Sequence, residues 1–293
     1  MALVFFLACL WGTSFMFIKI GVEEIPPFTL AFGRIALGAL VLLVLIVIQG
    51  KRLPRQPKLW FHLAIMGIVS SALPFLLFAY GELLVPSSWA AIINGTTPLF
   101  TALLAHYFIT GERLTIARII GSLMGFGGLL VIIYPSLRNG ASGETAGIIL
   151  ITIAAFSYAV GHVYAKKYIH GLPSLIAPAT QLIVAALLLL PVVIIMEPTS
   201  LTVLPSWKAF SSIVWLGIIG TALALTVYYK ILETGSAYGV SLVAFLFPVI
   251  GALLGIVILN ESLSWYSYTG CLLIMAGMAT VVKRTKTIII QQR

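Results

Sequence analysis

Few side chains in this 293-residue chain can do chemistry, and their spacing suits binding better than catalysis. Eight glutamates, four histidines and two cysteines are present, and no aspartate. Cys9 and Cys271 both lie inside apolar runs, where lone thiols pack as small hydrophobes. Two cysteines and scattered histidines assemble no metal site. No nucleophile–base constellation or nucleotide loop appears, so the chain is expected to be no enzyme and to need no cofactor or metal.

Aromatic and polar residues set within apolar runs are the more informative group. Trp11 and Phe15 are four apart and share a helix face, and so do Tyr158 and His162. Two such faces could wall a cavity, or could simply pack helix on helix. Arg34 is the one obligate charge well inside an apolar run. A guanidinium can grip a carboxylate with two hydrogen bonds, and snorkelling to the headgroups is the competing reading. Asn94 and Thr97 flank Thr96 ahead of Pro98, and Ser71 stands just before Pro74. Proline inside a helix disrupts a hydrogen bond and is tolerated where other groups satisfy the backbone. Gln181, Tyr80 and Tyr228 complete the candidate cavity set, the tyrosines suiting an interfacial belt equally well. Pro74, Pro98 and Pro248 are candidate bends, for gating or as fixed kinks. His162 is placed near a span centre, as a packing residue or a proton carrier.

The elements that must position these residues follow from composition. The chain is 61% hydrophobic and 9% charged, with a mean hydropathy of +1.13. Soluble domains are about 45–50% apolar and about 25% charged, so the partner of this surface is a lipid bilayer. Continuous rather than alternating apolar runs predict helices and not a barrel. Gly, Pro and charge divide the chain into ten spans, near 2–21, 28–49, 60–81, 86–109, 116–135, 145–168, 174–196, 208–232, 237–259 and 265–283. The N-terminal run lacks a basic leader region and a cleavage pattern, and reads as a retained span.

The net charge of +9 is distributed along the chain as an orientation signal, not as a nucleic-acid patch. With the N-terminus cytoplasmic, one side carries Lys51, Arg52, Arg55, Lys58, Arg113, Arg118, Lys166, Lys167, Lys230, Lys283, Arg284, Lys286 and Arg293. The other carries Lys19, Arg138 and Lys208. The positive-inside rule then places both termini in the cytoplasm of a multi-pass cell-membrane protein.

Self-comparison reveals a repeat. A shift of 147 places Pro26 on Pro173, Lys19 on Lys166 and Arg34 on Gln181. A shift of 150 places Gly67 on Gly217 and Pro98 on Pro248, and a shift of 149 places Glu112 on Glu261, Gly121 on Gly270 and Gly128 on Gly277. Two units of five spans are expected, 1–140 and 141–293. An odd number of spans makes the second unit enter the membrane from the opposite side. Inverted repeats of this kind are an architecture of secondary transporters.

Trp11-Gly12-Thr13-Ser14-Phe15, Pro98 followed by Gly111-Glu112-Arg113-Leu114, and Pro248 followed by Asn260-Glu261-Ser262-Leu263 resemble the drug/metabolite transporter superfamily, specifically its ten-span EamA-type exporters. The resemblance covers essentially the whole chain. It implies an all-α fold of ten transmembrane helices in a 5+5 inverted repeat, and export of amino acids, perhaps aromatic ones, or related metabolites. Phe156-Ser157-Tyr158-Ala159 replaces the Trp-Gly motif in the second unit, which argues against a strictly symmetric site.

A phosphate-bearing substrate would call for several buried cations, and Arg34 is the one within the spans. Small neutral or zwitterionic solutes fit better, moved by alternating access through a central cavity. A passive channel and an exporter of hydrophobic cations are the alternatives. All eight Glu are placed in loops or near span ends, which favours downhill export over proton coupling. Glu112 and Glu261 are expected to cap the helix that follows each of them. Gly121/Gly125 and Gly251/Gly255 are expected to serve assembly, and a monomer is compatible with the sequence.

Overall fold

The computed structural model describes the backbone of residues 2–112, 114–140, 142–169, 173–202, 204–233 and 237–291, and their side chains except 201, 232–242, 245 and 281–291. Every regular element among these residues is helical: α1 (Ala2–Val22), α2 (Pro27–Ile48), α3 (Pro57–Gly67), α4 (Leu73–Leu84), α5 (Ser87–Asn94), α6 (Thr97–Phe108), α7 (Ile116–Arg138), α8 (Ser142–Tyr168), α9 (Ile176–Met196), α10 (Trp207–Val214), α11 (Ala224–Glu233), α12 (Ala237–Ile258) and α13 (Trp265–Gln291), with a short 3₁₀ turn at Pro198–Leu201. Seven stretches among the described residues are long and apolar enough to cross a bilayer: Ala2–Val22, Pro27–Ile48, Pro57–Leu84, Ile116–Arg138, Ser142–Tyr168, Ile176–Met196 and Trp207–Ile231. The expectations for Arg113 and Arg293 lie outside the described residues, as do those for the side chains of Lys283, Arg284 and Lys286.

Local chemistry fixes the helix ends. Proline opens α2, α3 and α6 within the first two positions, where its missing N–H costs nothing. Thr115 and Ser206 cap α7 and α10 by accepting from the backbone N–H of Arg118 and Ala209. α3 and α4 run on as one helix through a widened π turn at Ile68–Ala72, and α10 and α11 do the same through Trp215–Leu223. The two proposed bends at Pro98 and Pro248 differ. The chain breaks at Gly95–Thr96 just before Pro98, whereas α12 continues through Pro248.

The surface is the reverse of a soluble protein's. Leu40, Leu123, Leu130, Leu187, Val257 and Leu272 are exposed, while Ser71, Ser87, Thr180 and Gln181 are buried. Such an outer face is stable only against hydrocarbon, where helices satisfy their own backbone. Inside, α7 and α13 make the most extensive helix pair, followed by α1 with α12, α4 with α8, and α2 with α9. The α7–α13 crossing depends on glycine. A Cβ on Gly128 would lie 2.6 Å from the Gly270 carbonyl oxygen, and one on Gly277 would lie 2.4 Å from that of Gly121.

Candidate functional site

Long-range contacts divide the helix ends into two sets. At one end, Glu24 accepts from the Ser206 backbone N–H and hydroxyl, Lys208 pairs with Glu23 at 3.0 Å, and Lys19 donates to the Val85 carbonyl at 3.1 Å. At the same end Glu197 accepts from the backbone N–H groups of Phe28 and Thr29, and Glu261 from those of Ser87 and Ser88. Here the carboxylates of Glu23, Glu24, Glu197 and Glu261 tie the end of α1 and the starts of α2 and α5 to later parts of the chain, so we call it the carboxylate end. At the opposite, basic end, Glu112 binds Lys166 at 2.6 Å and Arg118 at 2.9 Å, and His62 meets the Tyr164 hydroxyl at 2.7 Å.

Both expected glutamate caps therefore need correction. Glu261 caps α5, the first helix of a pair far earlier in the chain, and not the helix after it. Glu112 meets cationic side chains instead of backbone donors. Partial burial pushes the Glu112 carboxyl up, but hydrogen bonds from Lys166 and Arg118 outweigh it and hold it below the usual carboxylate range. Glu24 is likewise held low, by the Ser206 hydroxyl and N–H.

Between the two ends lies a cavity of about 160 Å³, room for a benzene-sized ring. Trp11, Phe15, Arg34, Asn94, Thr97, Pro98, Tyr158, His162, Gln181 and Tyr228, all singled out in the sequence, line it together. They come from α1, α2, α5, α6, α8, α9 and α11. Ser14, Ile18, Met66, Ser70, Phe75, Phe78, Ala165, Gly220, Leu225, Tyr229, Ala244 and Phe247 complete the wall. The lining runs from Ile18, next to Lys19, to Ala165 and Tyr229, next to Lys166 and Lys230.

Four candidates sit elsewhere. Tyr80 turns away to stack edge-on against Phe28, with ring centroids 5.7 Å apart. Pro74 is buried in the first turn of α4, and Pro248 packs beside Gly95. Ser71 does not line the wall but stands behind it, accepting a 2.8 Å hydrogen bond from Gln181 Nε2.

Aromatic rings form two groups. Tyr228 lies between Trp11 at 5.5 Å and His162 at 6.3 Å, centroid to centroid. Phe15 meets Phe78 at 5.5 Å and Phe247 at 6.2 Å, and Phe78 meets Tyr158 at 6.0 Å. The spacing of all these pairs is that of ordinary aromatic contacts.

The polar groups are fewer and firmly held. Arg34 is 5% exposed, so it does not snorkel. Its Nε donates to Thr221 Oγ1 at 2.7 Å, its Nη2 to the Gly220 carbonyl at 3.3 Å, and its guanidinium lies 3.7 Å over the Phe75 ring. Nη1 has no hydrogen-bond partner among the described residues. The π turns explain part of this. Gly220 and Thr221 belong to the second widened turn, and a carbonyl of the first, Val69, accepts from Ser157 at 2.7 Å. π turns recur at functional sites because they present backbone groups sideways. Gln181 Oε1 is buried without a partner among the described residues, and Thr97 donates to Asn94 Oδ1 at 3.0 Å.

Sequence reasoning missed Phe75, Phe78 and Phe247 in the wall. Phe75 and Phe78, three apart in α4 beside the noted Pro74, carried a usable signal. Gly220 and Thr221 carried none, because a π turn has no composition rule. Glu82 is near a span end as expected, in the last turn of α4, but it is fully buried.

Comparison with known proteins agrees with this architecture. The EamA-like transporter family matches residues 1–134 and again 145–283. The inner membrane transporter YedA of Escherichia coli (strain K12) is 29% identical over 263 residues, 89% of this chain and 83% of that one. Protein PecM of Dickeya dadantii (strain 3937) is 28% identical over 279 residues, 94% and 90% of the two chains. A probable amino-acid metabolite efflux pump of Salmonella typhimurium is 27% identical over 278 residues, 92% and 89%. A solved crystal structure superimposes with a TM-score of 0.68 at 23% identity, covering 95% of this chain and 96% of that one, a likeness of fold. A multi-pass, all-helical chain matched along almost its whole length in this way belongs to the EamA-like transporter family, within the drug/metabolite transporter superfamily.

Proposed function

We propose that the protein exports small zwitterionic solutes, aromatic amino acids or close relatives, by alternating access between two inverted five-helix units, 1–140 and 141–293. The observation that carries the substrate class is Arg34. It is a buried guanidinium fixed by Thr221, Gly220 and Phe75, with Nη1 unengaged among the described residues, in a cavity whose wall is rich in aromatic rings. A guanidinium in low dielectric favours a carboxylate strongly. Asn94 and the free Oε1 of Gln181 offer acceptors for an ammonium group. The Trp11–Tyr228–His162 and Phe15–Phe78–Tyr158 rings suit an apolar or aromatic side chain. The Salmonella relative's name points the same way.

The inverted duplication is supported by four features. The family match comes in two stretches of similar length. The π turns at Ile68–Ala72 and Trp215–Leu223 fall about 150 residues apart, as do the aligned Gly67 and Gly217. Gly128 meets Gly270 while Gly277 meets Gly121, as a twofold relation between α7 and α13 requires. Ten spans result if α5 with α6, α12 and α13 are counted with the seven longer stretches. The positive-inside rule then turns the basic end to the cytoplasm, both termini with it, and the carboxylate end outward. The wall's reach to Ala165 and Tyr229 fits an inward-facing state, and the tied carboxylate end argues against a channel open throughout.

Counterflow of labelled phenylalanine into liposomes preloaded with unlabelled phenylalanine tests the reading. Saturable, trans-stimulated uptake is expected, and flux linear in concentration overturns the carrier. Arg34→Lys should raise KM for phenylalanine by about tenfold, the worth of one charge-assisted hydrogen bond. It should leave flux of phenethylamine, which lacks the carboxylate, unchanged. An equal loss for both compounds would show that Arg34 only holds the fold.

A further inference from the structure

One buried charge has no place in the substrate cavity. Glu82 is 0% exposed, and neither carboxylate oxygen has a hydrogen-bond partner among the described residues. Lys19 is near, but two of its three N–H donors go to backbone carbonyls, those of Glu82 itself and of Val85, and none reaches the Glu82 carboxylate. The other charges acting on the carboxyl are Glu261, from the segment after α12, and Arg34, from α2. Glu261 is committed to Ser87 and Ser88, and Arg34 to Thr221 and Gly220. α8 faces this part of α4 with Gly147 and Ile151, and α5 brings no titratable group. Among the described residues, no cation is within ion-pair distance.

Position gives this carboxyl its meaning. Glu82 lies one helical turn beyond Phe78, which with Phe15 and Ile18 bounds the cavity toward the carboxylate end. It therefore stands between the cavity wall and the carboxylate end, where the alternating-access reading puts the outer passage. An ionised carboxylate is stable there only when hydrated or paired, while the neutral acid tolerates burial.

We propose that Glu82 is a proton-binding site within the outer passage: the passage closes over the carboxylic acid, and opens with the carboxylate hydrated. The proposal rests on the alternating-access reading above. On opening, the Glu82 O–H bond breaks and its proton passes to exterior water. On closing, one proton from the same water is taken back. The proton returns to the side it came from, so external acidity biases the carrier inward without being spent.

Two measurements need no substrate. In a chain with Cys9→Ser and Cys271→Ser, a single Ile18→Cys thiol just beneath the passage is exposed to a membrane-impermeant maleimide outside right-side-out vesicles. Labelling is normalised to the denatured chain at each pH. The rate should rise with external pH by up to about tenfold per pH unit across the titration, as one proton requires. It should be low and flat in Glu82→Gln, and pH-dependent again in Glu82→Asp. Infrared pH-difference spectra should contain a carboxyl C=O band that Glu82→Gln removes.

Labelling independent of pH with Glu82 present, or equally pH-dependent in Glu82→Gln, overturns the proposal. The absence of any titrating carboxyl band in the unmutated chain overturns it even if Glu82→Gln fails to fold. A band that Glu82→Gln removes, with no external labelling at any pH, would instead refute the opening on which the proposal stands, and so separates that failure from failure of the proton site.

Discussion

Glu112 illustrates how much a single carboxyl at the basic end can hold. It joins the loop before α7 to the last turn of α8 through Lys166, and to α7 itself through Arg118. Because its carboxyl is held below the usual range, the stabilisation it gives is complete above the unfolded value of about 4.3 and is lost as pH falls through the lower folded value. The melting temperature in detergent should therefore be higher for the unmutated chain than for Glu112→Gln at neutral pH. That gap should close as the sample is acidified below about pH 4. A gap that widened on acidification would contradict the assigned ion pairs. At this scale much of the cavity wall was legible. Trp11 with Phe15 and Tyr158 with His162 betray a shared face by their four-residue spacing, and Arg34 and Gln181 stand out as polar groups in apolar runs. Arg34's fixing partners were not legible, because Gly220 and Thr221 become ligands only where the helix widens. Glu82 was legible as a residue near a span end but its full burial was not, since hydropathy falls off at Gly81-Glu82 while the helix continues to Leu84.

Among the elements, α7 and α13 depend on close backbone approach. Gly128 offers no room for a side chain, since its Cβ would come within 2.6 Å of a backbone oxygen, whereas a Cβ on Gly127 would meet nothing within 4 Å. Gly128→Val should therefore lower the detergent melting temperature sharply or prevent folding. Gly127→Ala should leave it unchanged or raise it, because alanine gains up to about 1 kcal/mol over glycine in a helix. Equal effects of the two substitutions would rule out the crossing described. The helices themselves were readable from apolar run length, to within a few residues at most ends. The broken fourth span was not. Thr96-Thr97-Pro98 marks a bend in the sequence, but Pro248 carries the same mark and α12 runs through it.

For the whole molecule, the contacts of Glu23, Glu24, Glu197 and Glu261 at the carboxylate end matter most, since they link early helices to late ones. If the two halves part there during transport, joining them must stop it. Cysteines replacing Glu24 and Ser206, bridged by a short bifunctional reagent, should abolish phenylalanine counterflow, and cleaving the reagent should restore it. Full flux in the bridged protein would mean that this end does not open. The ordered matches of Pro, Gly and Glu on which the proposed duplication rests were legible in the sequence. The departure from symmetry was not, since Glu261 and Glu112 align in sequence yet one caps a helix and the other joins two cations. That difference has a physical corollary. Mobile ions weaken attraction between accessible opposite charges but hardly touch a short, sheltered bond to a peptide N–H. Ionic strength thus acts unevenly on these two aligned glutamates, loosening the ion pairs of Glu112 while the bonds of Glu261 to Ser87 and Ser88 keep their grip.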